Sequence, residues 1–215
     1  MTTNRCVYIP FTREQAGDFI QEAEKANSLG SSGKTHHARK FTVICYGDPG
    51  KGLKALGCAT NTRILIAGHG LAGRPYISNS AGQGQKEYLP FNAVVDRMIE
   101  SGLQKRYLGT ISCDVCYSSL KSSKNPAFAD LVSRYLHKKG YRLAHTIGYM
   151  GPMGAVHEKL QGEHKFLHRV VDLMDENNNT VTVKSKDAKV RFWGMKSIPK
   201  HLDSLASSLN TCPPF

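Results

Sequence analysis

Short apolar runs, each closed by glycine, proline or a polar cluster, recur through the first two thirds of the chain. Cys6-Val7-Tyr8-Ile9 reads as a strand stopped by Pro10. Thr12 then predicts an N-cap for a helix over Arg13 to Asn27, with Glu14 and Gln15 in its first turn. Phe41 to Tyr46 predicts a second strand, ended by the turn Gly47-Asp48-Pro49-Gly50. A third runs from Arg63 to Gly68 into His69-Gly70, and a loop rich in Gly, Ser and Asn follows from Leu71 to Gln85. Pro90 and Phe91 open a helix whose Val94, Val95, Met98, Ile99 and Leu103 fall on a single face. A fourth strand, Tyr107 to Ser112, runs into Cys113-Asp114-Val115-Cys116. A helix over Asn125 to Lys139 follows, with Asn125 as cap, Pro126 at its first position and Gly140 as its stop. Leu143 to Tyr149 completes the series as a fifth strand.

This β-α-β-β-α-β-α-β alternation predicts an α/β fold, a mostly parallel sheet covered by helices on both faces. Beyond it the pattern changes. Val170 to Met174, a turn at Asp175 to Asn179, and Thr180 to Lys184 predict a β-hairpin. Arg191-Phe192-Trp193 predicts a further short strand with Trp193 in the core, and Ser204 to Phe215 reads as a loose tail. The expectation is one domain over 1–215, with a core at about 5–150 and a C-terminal extension at 151–215.

Composition narrows the setting. With 40% hydrophobic and 21% charged residues, the 215-residue chain is of ordinary globular type. It has no apolar run of the length a transmembrane helix needs, and Met1 to Cys6 lacks the apolar stretch of a signal peptide. The six cysteines are irregularly spaced, with Cys6, Cys45 and Cys113 inside or ending strand-like runs. That favours buried thiols in a reducing compartment over a disulfide framework. A cytoplasmic protein is expected, or one exported to a host without a signal peptide. The net charge of +12 is compatible with an acidic protein partner or an anionic membrane face. The basic residues are dispersed, and their densest stretches, Lys34 to Lys40 and Lys184 to Lys196, are not laid out as a base-stacking platform. Specific nucleic-acid binding is therefore not expected.

A parallel sheet delivers whatever follows each strand to one common rim, where open α/β sheets place their sites. Here that rim receives His69-Gly70 and the cysteine pair, a base and a thiol nucleophile. A lone glycine-flanked histidine is usually only a turn residue, and a lone buried cysteine usually only packs; both together at one rim are more specific. A zinc site needs about four ligands. The single Cys-x-x-Cys lies far from His36-His37, so no metal is expected, nor a cofactor. Ser28-Leu29-Gly30-Ser31-Ser32-Gly33-Lys34-Thr35 imitates a phosphate-binding loop, but Ser28 replaces its first glycine and a helix precedes it where a strand should. A flexible surface loop is the better reading.

In two short blocks the chain resembles the caspase, metacaspase and legumain group of cysteine peptidases. Ile64-Leu65-Ile66-Ala67-Gly68-His69-Gly70 resembles the block in which the catalytic His-Gly follows the third strand of a Rossmann-like sheet. Asp114-Val115-Cys116-Tyr117-Ser118 resembles the Asp-Ala-Cys-(His/Tyr)-Ser block after the fourth. The likeness in element order covers roughly residues 5 to 150. It implies an endopeptidase acting on protein or peptide substrates through a Cys-His dyad. Cys116 would be the nucleophile, with Cys113 as the alternative, because an apolar run reaching Ser-Cys directly also occurs in the group. His69 would be the acid/base, and the Gly70 amide an oxyanion donor beside that of the cysteine. Asp114 would help form a pocket for a basic residue before the scissile bond. The stretch from Gly151 to Phe215 resembles nothing in the group. The rival expectation is a catalytically silent module of the same fold that binds an acidic protein or a membrane.

Overall fold

The computed structural model describes residues 5–31, 41–50, 52–80, 86–161, 164–174 and 177–196. In chain order the first elements are β1 (Arg5–Ile9), α1 (Phe19–Ser31), β2 (Thr42–Cys45), a 3₁₀ turn (Gly52–Leu56), β3 (Arg63–Ala67), β4 (Tyr76–Ser78), β5 (Tyr88–Pro90) and α2 (Phe91–Glu100). Then come β6 (Thr110–Asp114), α3 (Phe128–Lys138), β7 (His145–Tyr149), β8 (Met153–Gln161), β9 (His164–Met174), β10 (Thr180–Lys184) and β11 (Lys189–Trp193). The chain is an α/β protein with a six-stranded sheet in the order β11-β7-β6-β3-β1-β2, parallel except for β11.

The strands lie where continuous apolar runs demand burial on both faces. In each of β3, β6 and β7 every residue after the first is buried. The two described helical faces that cover them are spaced at the helical period. Helix α2 buries Phe91, Val94, Val95 and Met98, and α3 buries Phe128, Leu131, Val132 and Leu136. Between these helices Tyr135 meets Phe91 edge-on at 5.8 Å and donates to Asp96 at 3.1 Å.

Several boundaries differ from the expectation for identifiable reasons. Helix α1 begins at Phe19, not Arg13. Gly17 sits at φ +55°, and an added Cβ would lie 2.9 Å from the Asn79 carbonyl oxygen, so residues 12–18 are turns held against the 78–80 loop. Helix α3 begins at Phe128 with Ala127 as an N-cap that makes no side-chain bond. Asn125 does not cap it; its side chain donates to the Gly73 carbonyl at 3.1 Å. The fourth parallel strand, β6, starts at Thr110 and reaches Asp114, which puts Cys113 inside it. The expected loop at 71–85 contains β4, which pairs with β5.

The predicted hairpin is present as β9 and β10, with Met174 opposite Thr180. It belongs to a three-stranded antiparallel sheet with β8, a strand the sequence reading did not anticipate. Val171 anchors this sheet, fully buried with Ile147, Tyr149 and Ala188. The expected strand at 191–193 exists as part of β11, which joins the main sheet antiparallel to β7. Of the C-terminal part, β11 joins the main sheet, whereas β8 to β10 form their own sheet over a separate small apolar cluster. Trp193 is not a core residue: it is 54% exposed, its ring 4.8 Å from that of His145. The tail at 204–215, His36, His37, Cys212 and the second half of the phosphate-loop imitation, 32–35, lie outside the described residues; its first half, 28–31, belongs to α1 where a surface loop was expected.

Candidate active site

Strands β3 and β6 are parallel neighbours in a register that pairs Ala67 with Asp114. Residues 68–70 and 115–116 therefore leave the sheet side by side at its C-terminal rim. Their approach is close. A Cβ on Gly70 would collide with Val115 Cγ1 and lie 3.2 Å from the Cys116 carbonyl oxygen. Only glycine permits this contact between the segment carrying His69 and the one carrying Cys116.

His69 is fixed from both sides. Its backbone exchanges two hydrogen bonds with Ser78, each 2.9 Å. Its ring lies 4.7 Å from that of Phe19, tilted by 39°. Gly68 lets it sit there, since a Cβ at that position would come within 2.7 Å of Ile77 Cδ1. Burial lowers the His69 pKa below its ordinary 6.5, against the opposing pull of Glu22 and Asp18, while Lys86 adds to the lowering. The ring is therefore held toward its neutral form, able to accept a proton at neutral pH.

The two cysteines occupy different environments. Cys113 has 0% exposure in the middle of β6, and desolvation raises its thiol pKa far beyond reach. Cys116 stands half-buried on the turn beyond the strand, and its sulfur accepts a hydrogen bond from the Met153 amide at 3.3 Å. Tyr117, next in the chain, adopts φ 57°, a left-handed conformation uncommon for a residue with a side chain. Such strain persists only where the surroundings impose it. Here the Tyr117 amide donates to Gly151 O at 3.0 Å, and Ser118 is buried at the heart of the turn. The Ser118 hydroxyl donates to Cys113 O at 2.9 Å and accepts from the Tyr149 amide at 3.0 Å. Gly148 makes room, since a Cβ there would come within 2.9 Å of the Ser118 backbone.

The loops beyond the two residues are also tied together. The Gly73 amide donates to Leu120 O at 3.1 Å, Asn125 returns a bond to Gly73 O, and a Cβ on Gly73 would run into Ser122. Among the described residues the amides of Gly70 and Cys116 donate to no carbonyl. Asp114 ends β6 at 7% exposure, two residues from Cys116.

Of the residues singled out in the sequence, the structure thus brings His69, Gly70, Asp114 and Cys116 to one rim and withdraws Cys113 into the core. Phe19 and Met153 were not anticipated, nor were the parts played by Tyr117, Ser118 and Asn125. Tyr117 and Ser118 stand in the nucleophile-like block itself and Asn125 reads in sequence as a helix cap; the partnership of Phe19 and Met153 arises only from tertiary packing. No group of three or more His, Cys, Asp or Glu among the described residues could hold a metal ion. No described helix is long and apolar enough to cross a membrane. The chain matches no protein-family model and no curated protein.

Proposed function

We propose that this chain is a cysteine endopeptidase of caspase-like architecture that uses Cys116 and His69. The observation that supports the reading is the close approach of the Gly70 backbone to Val115 and Cys116, which brings the segments carrying a half-buried histidine and a half-buried cysteine together at the ends of two adjacent parallel strands.

The chemistry follows from the parts. The Cys116 thiol gives its proton to the neutral His69 ring, and the sulfur attacks the scissile carbonyl carbon. The negative charge that develops on the carbonyl oxygen is met by the Gly70 and Cys116 amides; one such donor is typically worth about a hundred- to a thousandfold in rate. The imidazolium then protonates the leaving nitrogen as the C–N bond breaks, and water hydrolyses the thioester. The tilted ring of Phe19 and the Ser78 backbone pair keep His69 in place with no third side chain. Asp114 at the rim favours Arg or Lys before the scissile bond, since a carboxylate sheltered from water pairs more strongly than an exposed one.

A peptide electrophile with Arg at its reactive end tests the assignment. Mass spectrometry should find the adduct on Cys116, and His69→Ala should slow its formation by a hundredfold or so. Modification of Cys116 no faster than of Cys58, the half-buried thiol bonded to Gln104, would refute the peptidase reading.

A further inference from the structure

The opposite rim of the sheet, formed by the N-terminal ends of the parallel strands, carries no candidate chemistry but an unusual surface. Among the described residues, four chain segments carry it. Residues 54–62 lead into β3, 101–109 into β6, 139–145 into β7, and 191–196 close β11, whose Trp193 pairs with His145. Backbone contacts hold the first two together, with the Leu108 amide donating to Cys58 O at 3.2 Å. Together the four segments contain seven Lys or Arg, all exposed, and no Asp or Glu. Asp96 reaches one of them, Lys139, at 2.9 Å, and Lys105 lies 4.6 Å over the ring of Tyr141.

Large apolar side chains project between these cations. Leu108, Leu143, Trp193 and Met195 are 38%, 60%, 54% and 84% exposed. They account for half of the exposed large hydrophobic residues described. The register of β6 on β7, Thr110 with His145, puts Leu108 and Leu143 at equivalent turn positions on neighbouring strands, with Trp193 next in line on β11.

We propose that this rim docks onto an anionic lipid bilayer, with the basic side chains at the headgroups and the leucine, tryptophan and methionine tips in the interfacial layer. Charge complementarity selects an acidic partner. The apolar tips select lipid among acidic partners, because they protrude singly from separate turns. A protein would need a matching pocket for each tip, whereas an acyl–headgroup boundary accepts any arrangement of them. Nucleic acid would leave Leu108, Leu143 and Met195 unpaired, since aliphatic chains do not stack on bases. Docked this way, the sheet presents its C-terminal rim, with His69 and Cys116, away from the membrane.

Trp193 is the only tryptophan in the chain and so reports directly on this rim. The full chain is mixed with vesicles of phosphatidylcholine alone or with about one third phosphatidylserine. Co-sedimentation and a blue shift of Trp193 emission are expected with the anionic vesicles only, both fading as salt is raised. Arg106→Ala with Arg142→Ala should lower the partition coefficient about tenfold or more. Leu108→Ser with Leu143→Ser should lower it by a similar factor, roughly tenfold, without altering the salt dependence. Unchanged circular dichroism in each variant keeps the comparison clean. No sedimentation at low salt overturns the proposal, as does binding indifferent to both double substitutions. Sedimentation with unshifted Trp193 emission also overturns it, reducing the effect to a diffuse attraction. An equal emission shift with polyglutamate or RNA would reassign the rim to an acidic polymer.

Discussion

The two rims of the main sheet are built by the same strands and hold their ionisable groups in opposite ways. At the C-terminal rim, ionisable groups are wholly or partly withdrawn from water: His69 half-buried against Phe19, Cys116 half-buried under the Met153 amide, Asp114 buried at the end of β6. At the N-terminal rim the charges are exposed and sit beside apolar tips that also face water. Burial changes the reactivity of a titratable group, whereas exposure preserves its charge for long-range attraction. The packing beneath does not separate them. The C-terminal rim is laced by cross-loop bonds through Gly73, Asn125, Ser118 and Gly151. The N-terminal rim is bonded across its loops as well, Leu108 amide to Cys58 O, Gln104 side chain to Lys54 O and Tyr141 hydroxyl to Leu103 O. Position relative to solvent, more than packing or residue type, distinguishes the two rims.

The largest effects should separate the two cysteines. Cys116→Ala should reduce peptide cleavage on the order of a thousandfold or more, while leaving the melting temperature nearly unchanged. Cys113→Ala should do the reverse, costing about 1–2 kcal/mol of stability through lost core packing while activity persists. Hydrolysis of an Arg-containing fluorogenic peptide, read beside thermal unfolding, checks both. Inactivity of the Cys113 variant as a folded protein would dissolve the contrast between strand and turn. Next in size is Gly70→Ala. Its methyl would press on Val115 Cγ1 and the Cys116 carbonyl, so the two loops must part. A rate loss of about a hundredfold is expected, with a stability cost of roughly 1–3 kcal/mol. Cleavage at the original rate would mean that the close approach of the loops has no bearing on chemistry.

Most of the main sheet was legible because its strands are apolar runs of the right length in the right order. Ile64 to Ala67 and Ile111 to Cys113 are such runs, and burial on both faces leaves little choice of register. What sequence misplaced were ends, and each error has a tertiary cause. Asn125 looks like a helix cap, but its amide is bound to Gly73 O across the site. Thr12 looks like another, but Gly17 turns the chain before α1 can begin. The fourth strand was expected to end near Cys113 and ends one residue on, at Asp114, with Cys113 buried inside it. Trp193 was assigned to the core by its type, yet β11 is an edge strand and leaves the ring on the surface. His69 and Cys116 were visible from motif and order, whereas the restraints that hold them came from segments distant in sequence, Phe19 and Met153.

A smaller effect concerns the C-terminal rim itself. The Ser118 hydroxyl bonds both Cys113 O and the Tyr149 amide from a fully packed position. Ser118→Ala strands two buried backbone groups, at a cost of about 1–3 kcal/mol. Because the same bonds brace the Tyr117 turn, the rate of Cys116 alkylation should also change, by several-fold, in the folded variant. Tyr141→Phe removes the comparably buried bond to Leu103 O, at the opposite rim of the sheet. It should cost similar stability and leave the alkylation rate alone. Equal rate changes in both variants would show that any loosening of the core, not the turn itself, governs the thiol.

The smallest expected effect is a pH dependence shared by the two rims. His69 at one and His145 at the other both have pKa values lowered from 6.5, by burial first, with Arg191 adding to the lowering at His145. The unfolded chain therefore takes up protons before the folded one as pH falls. Protonation favours unfolding, so stability is full above about pH 7 and declines as pH drops through 6.5 and below. Urea titrations at about pH 7.5 and 5.5 should record a lower midpoint at the acidic value. His69→Gln and His145→Gln should each flatten part of that difference. Activity distinguishes them: the acid limb of kcat/KM, which needs a neutral imidazole, should lie below pH 6.5 and follow His69 alone. Arg191→Ala should raise the His145 pKa and soften the acid loss of stability without moving that limb, since the two histidines stand at opposite rims of the sheet.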